Sequence, residues 1–83
     1  MKELSECRIL LVDDHRDTAV ALEKLLQRRG HTVATAHDMQ SALEVAGRDE
    51  FDLLISDVGL PDGSGLELLN RLRATAEIPG IAI

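Results

Sequence analysis

Two short apolar runs end in acid, and each leads towards a helix. Arg8-Ile9-Leu10-Leu11-Val12 stops at Asp13-Asp14, and Leu53-Leu54-Ile55 stops, after Ser56, at Asp57. The second run lies in the stretch Phe51 to Gly65, FDLLISDVGLPDGSG, whose Pro61, Gly63 and Gly65 mark a loop. An apolar run with turn residues behind it reads as a buried strand entering a loop. Unalternating apolar character suits a parallel strand covered on both faces. In open α/β sheets, ligands bind beyond the carboxyl ends of the strands. If these two strands lie side by side, Asp13, Asp14 and Asp57 converge on one crevice.

The remaining segments supply the crossovers that such a sheet needs. Residues 1–7 form a polar lead-in, and 8–83 form a single domain. His15 to Arg29 is expected to be a helix, with Ala19, Leu22, Leu25 and Leu26 facing inward and Gly30 stopping it at C′. His31 to Ala36, HTVATA, is β-branched but weakly apolar, which suits an edge strand. Asp38 can cap a helix over Met39 to Ala46, and Gly47 is expected to end it. Asp52 to Ser56 is the third strand. Ser64-Gly65-Leu66-Glu67 fits the capping box S-x-x-E, opening a helix to about Ala74 with Leu68, Leu69 and Leu72 inward. Ile81-Ala82-Ile83 reads as a fourth strand. The order β-α-β-α-β-α-β implies parallel strands and right-handed crossovers.

Composition excludes several classes of function. The chain has 83 residues and a formal net charge of −6. An acidic surface disfavours non-specific binding to nucleic acid or anionic membranes, which needs clustered Lys and Arg. Cys7 is the only cysteine, so no intrachain disulfide forms, which suits a reducing, cytoplasmic setting. No signal peptide is visible, and no stretch approaches the ~20 apolar residues of a transmembrane helix. With Phe51 the only aromatic residue, the core must be aliphatic.

Each acidic feature has a plain explanation by itself. Asp13 or Asp14 can cap the following helix, and Asp57 can be a loop residue. Together they are more specific, because both motifs sit at the same ends of strands. Three clustered acids repel, and a hard divalent cation resolves this. Mg2+ takes oxygen ligands, uses one or two carboxylates and leaves room for a phosphoryl oxygen. Walker A, G-x-G-x-x-G and C-x-x-C motifs are absent from the sequence.

At LLVDDH and ISDVGLPDGSGLELL the chain resembles the receiver domain of bacterial two-component response regulators, from Arg8 to Ile83. The resemblance implies a flavodoxin-like, doubly wound parallel sheet. Its expected strand order is 2-1-3-4, inherited from the family's 2-1-3-4-5. It implies that Asp57 is the phosphoacceptor, taking a phosphoryl group from a phosphohistidine on a histidine kinase or phosphotransfer protein. Carboxylates need no general base to act as nucleophiles near neutral pH. Asp14 is implied as a direct Mg2+ ligand and Asp13 chiefly as a ligand through water. Asp57 and the backbone carbonyl of Gly59 complete the set. The resemblance implies no conventional enzyme, only Mg2+-dependent uptake of a phosphoryl group.

The family's pattern continues past Ile83, with a Ser or Thr next, then a Lys after a fifth strand, and two further helices. The chain is therefore expected to be a receiver incomplete at its C-terminus. An alternative function follows: a signalling-incompetent fragment that self-associates as a homo-oligomer through the exposed edge of its fourth strand. A phosphohydrolase with an aspartyl nucleophile is disfavoured, because such enzymes carry D-x-D where this chain has adjacent Asp13-Asp14. His15 could overhang the site but is read as a partly exposed residue of the first helical turn. His31 and His37 are read as surface residues, and Cys7 as a small residue at a strand entrance.

Overall fold

The computed structural model describes residues 7–74 and 80–82. Its elements are β1 (Arg8–Val12), α1 (Arg16–Arg28), β2 (Thr32–Ala36), α2 (Met39–Arg48), β3 (Leu53–Ser56), β4 (Gly59–Leu60), β5 (Gly63–Ser64), α3 (Gly65–Arg73) and β6 (Gly80–Ala82). Four parallel strands form one sheet in the order β2-β1-β3-β6. This is the expected 2-1-3-4 order, with β6 as the fourth strand of the main sheet. Ile83 and residues 75–79 lie outside the described residues.

β1 is buried from Ile9 to Val12, as its continuous apolar run requires. Side chains alternate across a strand. Leu10 and Val12 join Leu54, Ala42, Leu68 and Leu72 in the main core, and Ile9 and Leu11 point to the opposite face. α2 and α3 pack together over the first face, and α1 packs on β1 and β2. β2, with its mixed composition, is the outer strand next to β1.

Caps explain most helix boundaries. Gly30 has φ 91°, the left-handed turn expected where α1 stops. At α2, Asp38 accepts the Ser41 N–H at 2.8 Å, and the Ser41 side chain returns to the Asp38 backbone. At α3, the Ser64 hydroxyl accepts the Glu67 N–H at 3.0 Å. The reciprocal half expected of S-x-x-E is not made there. Glu67 instead accepts from Arg71, one turn on, at 3.0 Å.

Several expectations are corrected. Gly47 does not end α2, which runs to Arg48. A glycine stops a helix when it takes positive φ, and among the described residues only Gly30 does so. Leu25 is 48% exposed. It lies about 100° round the helix from Leu26, outside the face that Ala19 buries. β3 begins at Leu53 rather than Asp52. Asp52 instead pairs with the start of β1, its carboxylate accepting the Arg8 N–H at 2.8 Å. The loop after Asp57 contains a β4–β5 hairpin, antiparallel through Gly59↔Ser64 and Leu60↔Gly63, where the sequence pattern predicts only a loop.

Candidate functional site

Strand register builds the site. Val12 pairs with Ala36 on one side and with Ser56 on the other. The next residues continue the ladder: Asp13 N–H donates to the Ala36 carbonyl at 3.0 Å, and Asp57 N–H to the Val12 carbonyl at 2.9 Å. Asp13 and Asp57 are thus brought side by side, although they lie 44 positions apart. Asp14 follows at the first strand's exit.

The three acids meet as expected. Asp13, Asp14, His15 and Asp57 each offer a ligand atom, and these atoms lie within 4.8 Å of one another. Asp13 is buried at 4% exposure, Asp57 is half-buried, and Asp14 faces solvent. Burial of Asp13 is met by a partner: one carboxylate oxygen accepts the His15 N–H at 2.9 Å. The N-cap of α1 is His15, which makes no side-chain cap bond. Neither Asp13 nor Asp14 is therefore the N-cap residue, and the plain capping explanation falls.

His15 is exposed, as expected, but it stands at the N-cap just before α1 rather than within its first turn, and it does overhang the site. Its Nδ1 lies 3.1 Å from Asp13 Oδ1, 3.1 Å from Asp14 Oδ1 and 3.7 Å from Asp57 Oδ2. The hydrogen bond to Asp13 raises its pKa from the ordinary 6.5, and the charges of Asp14, Asp13 and Asp57 add to the effect. When protonated, the ring supplies counter-charge in a cluster that otherwise repels itself.

The other two histidines are not simple surface residues either. His37 Nδ1 lies 3.0 Å from the Asp13 carbonyl. A carbonyl only accepts, so the proton is on Nδ1. His31 Nδ1 accepts the Cys7 N–H at 3.3 Å. His31 and His37 flank β2, and their partners come from across the fold, 24 residues earlier in each case. Local spacing carries no sign of such pairs.

The loop beyond Asp57 is tightly seated. Ser56, buried, donates its hydroxyl to the Asp57 carbonyl at 2.9 Å. Gly65 N–H donates to the Val58 carbonyl at 2.9 Å. A Cβ at position 65 would collide with the Asp57 carbonyl oxygen and stand 2.9 Å from Ser56 Oγ. Gly65 is therefore required by space, since its φ is not positive. Gly59 has open space around it, so its identity is unconstrained if its backbone serves.

The donor set is oxygen-rich, with three carboxylates at one end of the sheet. That chemistry fits a hard cation such as Mg2+ and not a soft one.

Comparison with known proteins agrees with this geometry. The family described as "Response regulator receiver domain" matches residues 9–83. The transcriptional regulatory protein CpxR of Escherichia coli K12 is 41% identical over 76 residues, covering 92% of this chain and 32% of that protein. The chain thus spans about a third of the length of the first curated relatives it matches. Among solved structures, the chemotaxis response regulator CheY4 of Vibrio cholerae superposes with a TM-score of 0.88 at 31% identity, covering 93% of this chain and 67% of that one. The response regulator TrrA of Thermotoga maritima, solved in complex with Mg2+-BeF, gives 0.79 at 35% identity, covering 83% and 60%.

Proposed function

The chain belongs to the response regulator receiver domain family, and on that premise we propose that Asp57 accepts a phosphoryl group from a phosphohistidine of a histidine kinase or phosphotransfer protein. The observation that carries this reading is the meeting of Asp57 with Asp13 and Asp14 at the ends of adjacent parallel strands.

An Asp57 carboxylate oxygen attacks phosphorus. The O–P bond forms as the N–P bond of the donor breaks, and the electron pair stays on the imidazole nitrogen. Such transfers depend on positioning and charge neutralisation more than on acid–base chemistry. Asp14, exposed, would hold Mg2+ directly, Asp13 chiefly through water, and Asp57 and the Gly59 carbonyl would complete the set. When bound, the ion offsets the charge gathered on the phosphoryl oxygens. The strand ladders hold Asp13 and Asp57 in place through backbone bonds. The chain's own catalytic contribution is confined to its own phosphorylation, and its setting is the cytoplasm. No helix among the described residues is long and apolar enough to cross a membrane.

Incubation with acetyl phosphate and MgCl2, read by intact mass, tests the assignment. The native chain is expected to gain one phosphoryl group and Asp57→Asn none. Labelling that persists in Asp57→Asn overturns the choice of acceptor. Amide shifts at 13–15 and 57–60 are expected to respond to MgCl2, and silence there overturns the metal site.

A further inference from the structure

The turn between β4 and β5 carries an acid that the phosphoacceptor chemistry does not use. Asp62 reaches across to the start of α2, 23 residues earlier. Its Oδ1 accepts the Met39 N–H at 2.7 Å and its Oδ2 the Gln40 N–H at 3.0 Å. Each carboxylate oxygen thus takes one amide, in a forked grip on the helix's first two N–H groups.

Helix α2 has its own cap without Asp62. Asp38 takes the Ser41 N–H at 2.8 Å with its side chain and the Ala42 N–H at 3.1 Å with its carbonyl. Asp38 therefore provides the capping box that such a helix ordinarily needs. What Asp62 adds is a tie between α2 and the hairpin after Asp57. Two neighbours make the same connection. Leu60 is buried in the core cluster that contains Met39. Gly63 lies so close to Met39 that a Cβ there would stand 2.9 Å from its Sδ and Cε.

The lead-in to α2 also grips the opposite wall of the site. His37 donates to the Asp13 carbonyl at 3.0 Å, and Asp13 N–H donates to Ala36. The segment 36–40 is therefore joined to both loops that carry site residues. Asp13, Asp14 and His15 are on one, and Asp57 and Gly59 are on the other.

We propose that Asp62 is a positioning residue: its forked grip on α2 sets the 57–64 loop, and with it the Gly59 carbonyl and Asp57, against Asp13 and Asp14. This rests on the phosphoacceptor reading of the site. Asp62 acts through the backbone it holds and touches neither the reacting atoms nor the ion.

The test is an MgCl2 titration of the full chain, followed by amide shifts at 13–15 and 57–60, for the native protein, Asp62→Ala and Asp62→Asn. Amide exchange at Met39 and Gln40 and thermal melting are recorded alongside. Groups hydrogen-bonded directly to metal ligands account for about 10-fold or more in affinity; Asp62 acts one step further out, through Met39 and Gln40, so Asp62→Ala is expected to weaken Mg2+ binding by about 3- to 10-fold. Exchange should quicken at Met39 and Gln40 and stay slow at Ser41. Asp62→Asn retains one acceptor oxygen and is expected to fall between. It is the variant to read should the alanine form fail to fold.

Native Mg2+ affinity in Asp62→Ala, with Met39 and Gln40 deprotected, overturns the proposal. Equal loss in both variants also overturns it, because charge and not positioning would then be at work. A native chain that ignores MgCl2 overturns the phosphoacceptor reading itself, and the proposal with it.

Discussion

Gly65→Ala sets helix propensity against tertiary space. Gly65 is the first residue of α3, and alanine is favoured over glycine within helices by about 1 kcal/mol. On propensity alone the change stabilises. The structure says otherwise. The new methyl would collide with the Asp57 carbonyl oxygen, and would stand 2.9 Å from Ser56 Oγ and 3.3 Å from the Asp57 carbonyl carbon. Carbon contacts settle at about 3.5–4.0 Å, so atoms on the β3 side must retreat. Two of the three are backbone atoms and cannot rotate away. Overpacking of this kind costs about 1–3 kcal/mol. The Ser56 hydroxyl bond to the Asp57 carbonyl is also strained, at about 1 kcal/mol. Against a propensity gain that is smaller at a first-turn position, the net is a loss of about 1–3 kcal/mol. For a domain of this size that lowers the melting temperature by about 4–24 °C. Gly47→Ala is the control. Gly47 lies inside α2, exposed and with nothing near a Cβ, so the same change there should raise stability by about 0.5–1 kcal/mol. Thermal melts followed by far-UV circular dichroism compare the two. A Gly65→Ala chain that melts at or above the native temperature refutes the steric argument.

Two pH effects follow from the charged groups. The His15 ring should titrate above 6.5 in metal-free buffer, held up first by its hydrogen bond to Asp13 and then by the charges of Asp14, Asp13 and Asp57. Its stabilisation is full below 6.5 and is lost as pH rises through the raised folded value. An NMR titration midpoint that does not fall in Asp13→Asn contradicts this. Asp38 is held below its ordinary 3.8 by the Ser41 hydroxyl and backbone N–H. Its contribution is present above 3.8 and lost as pH falls through the depressed folded value. Asp38→Ala should therefore melt below the native chain at neutral pH, with the gap closing in acid. A gap that stays constant down to acid pH contradicts the capping role.

The sequence by itself determined what is local. Unbroken apolar runs ending in acid made β1 and β3 legible as strands; β1 is buried on both faces, while Leu53 and Ile55 of β3 are only half-buried. Gly30, Asp38 and Ser64 declared helix boundaries because capping uses neighbours within one turn. The strand order and the proposed role of Asp57 came from family resemblance, through residues clustered within LLVDDH and ISDVGLPDGSG. Tertiary structure decided which distant groups share space. His15 and Leu25 show how a residue's surroundings depend on which way a helix is turned and what covers it. His37, Asp62 and Gly65 find partners that backbone register places against them. Their types are ordinary for loops and helix starts, and periodicity carries nothing about a bond to a residue 23 or 24 positions away. Only the parallel register that sets Val12 against Ser56 brings Asp13, Asp14 and Asp57 within reach of one ion. The contact of the β4–β5 hairpin with the start of α2, through Asp62 and Leu60, is likewise visible only in the tertiary structure.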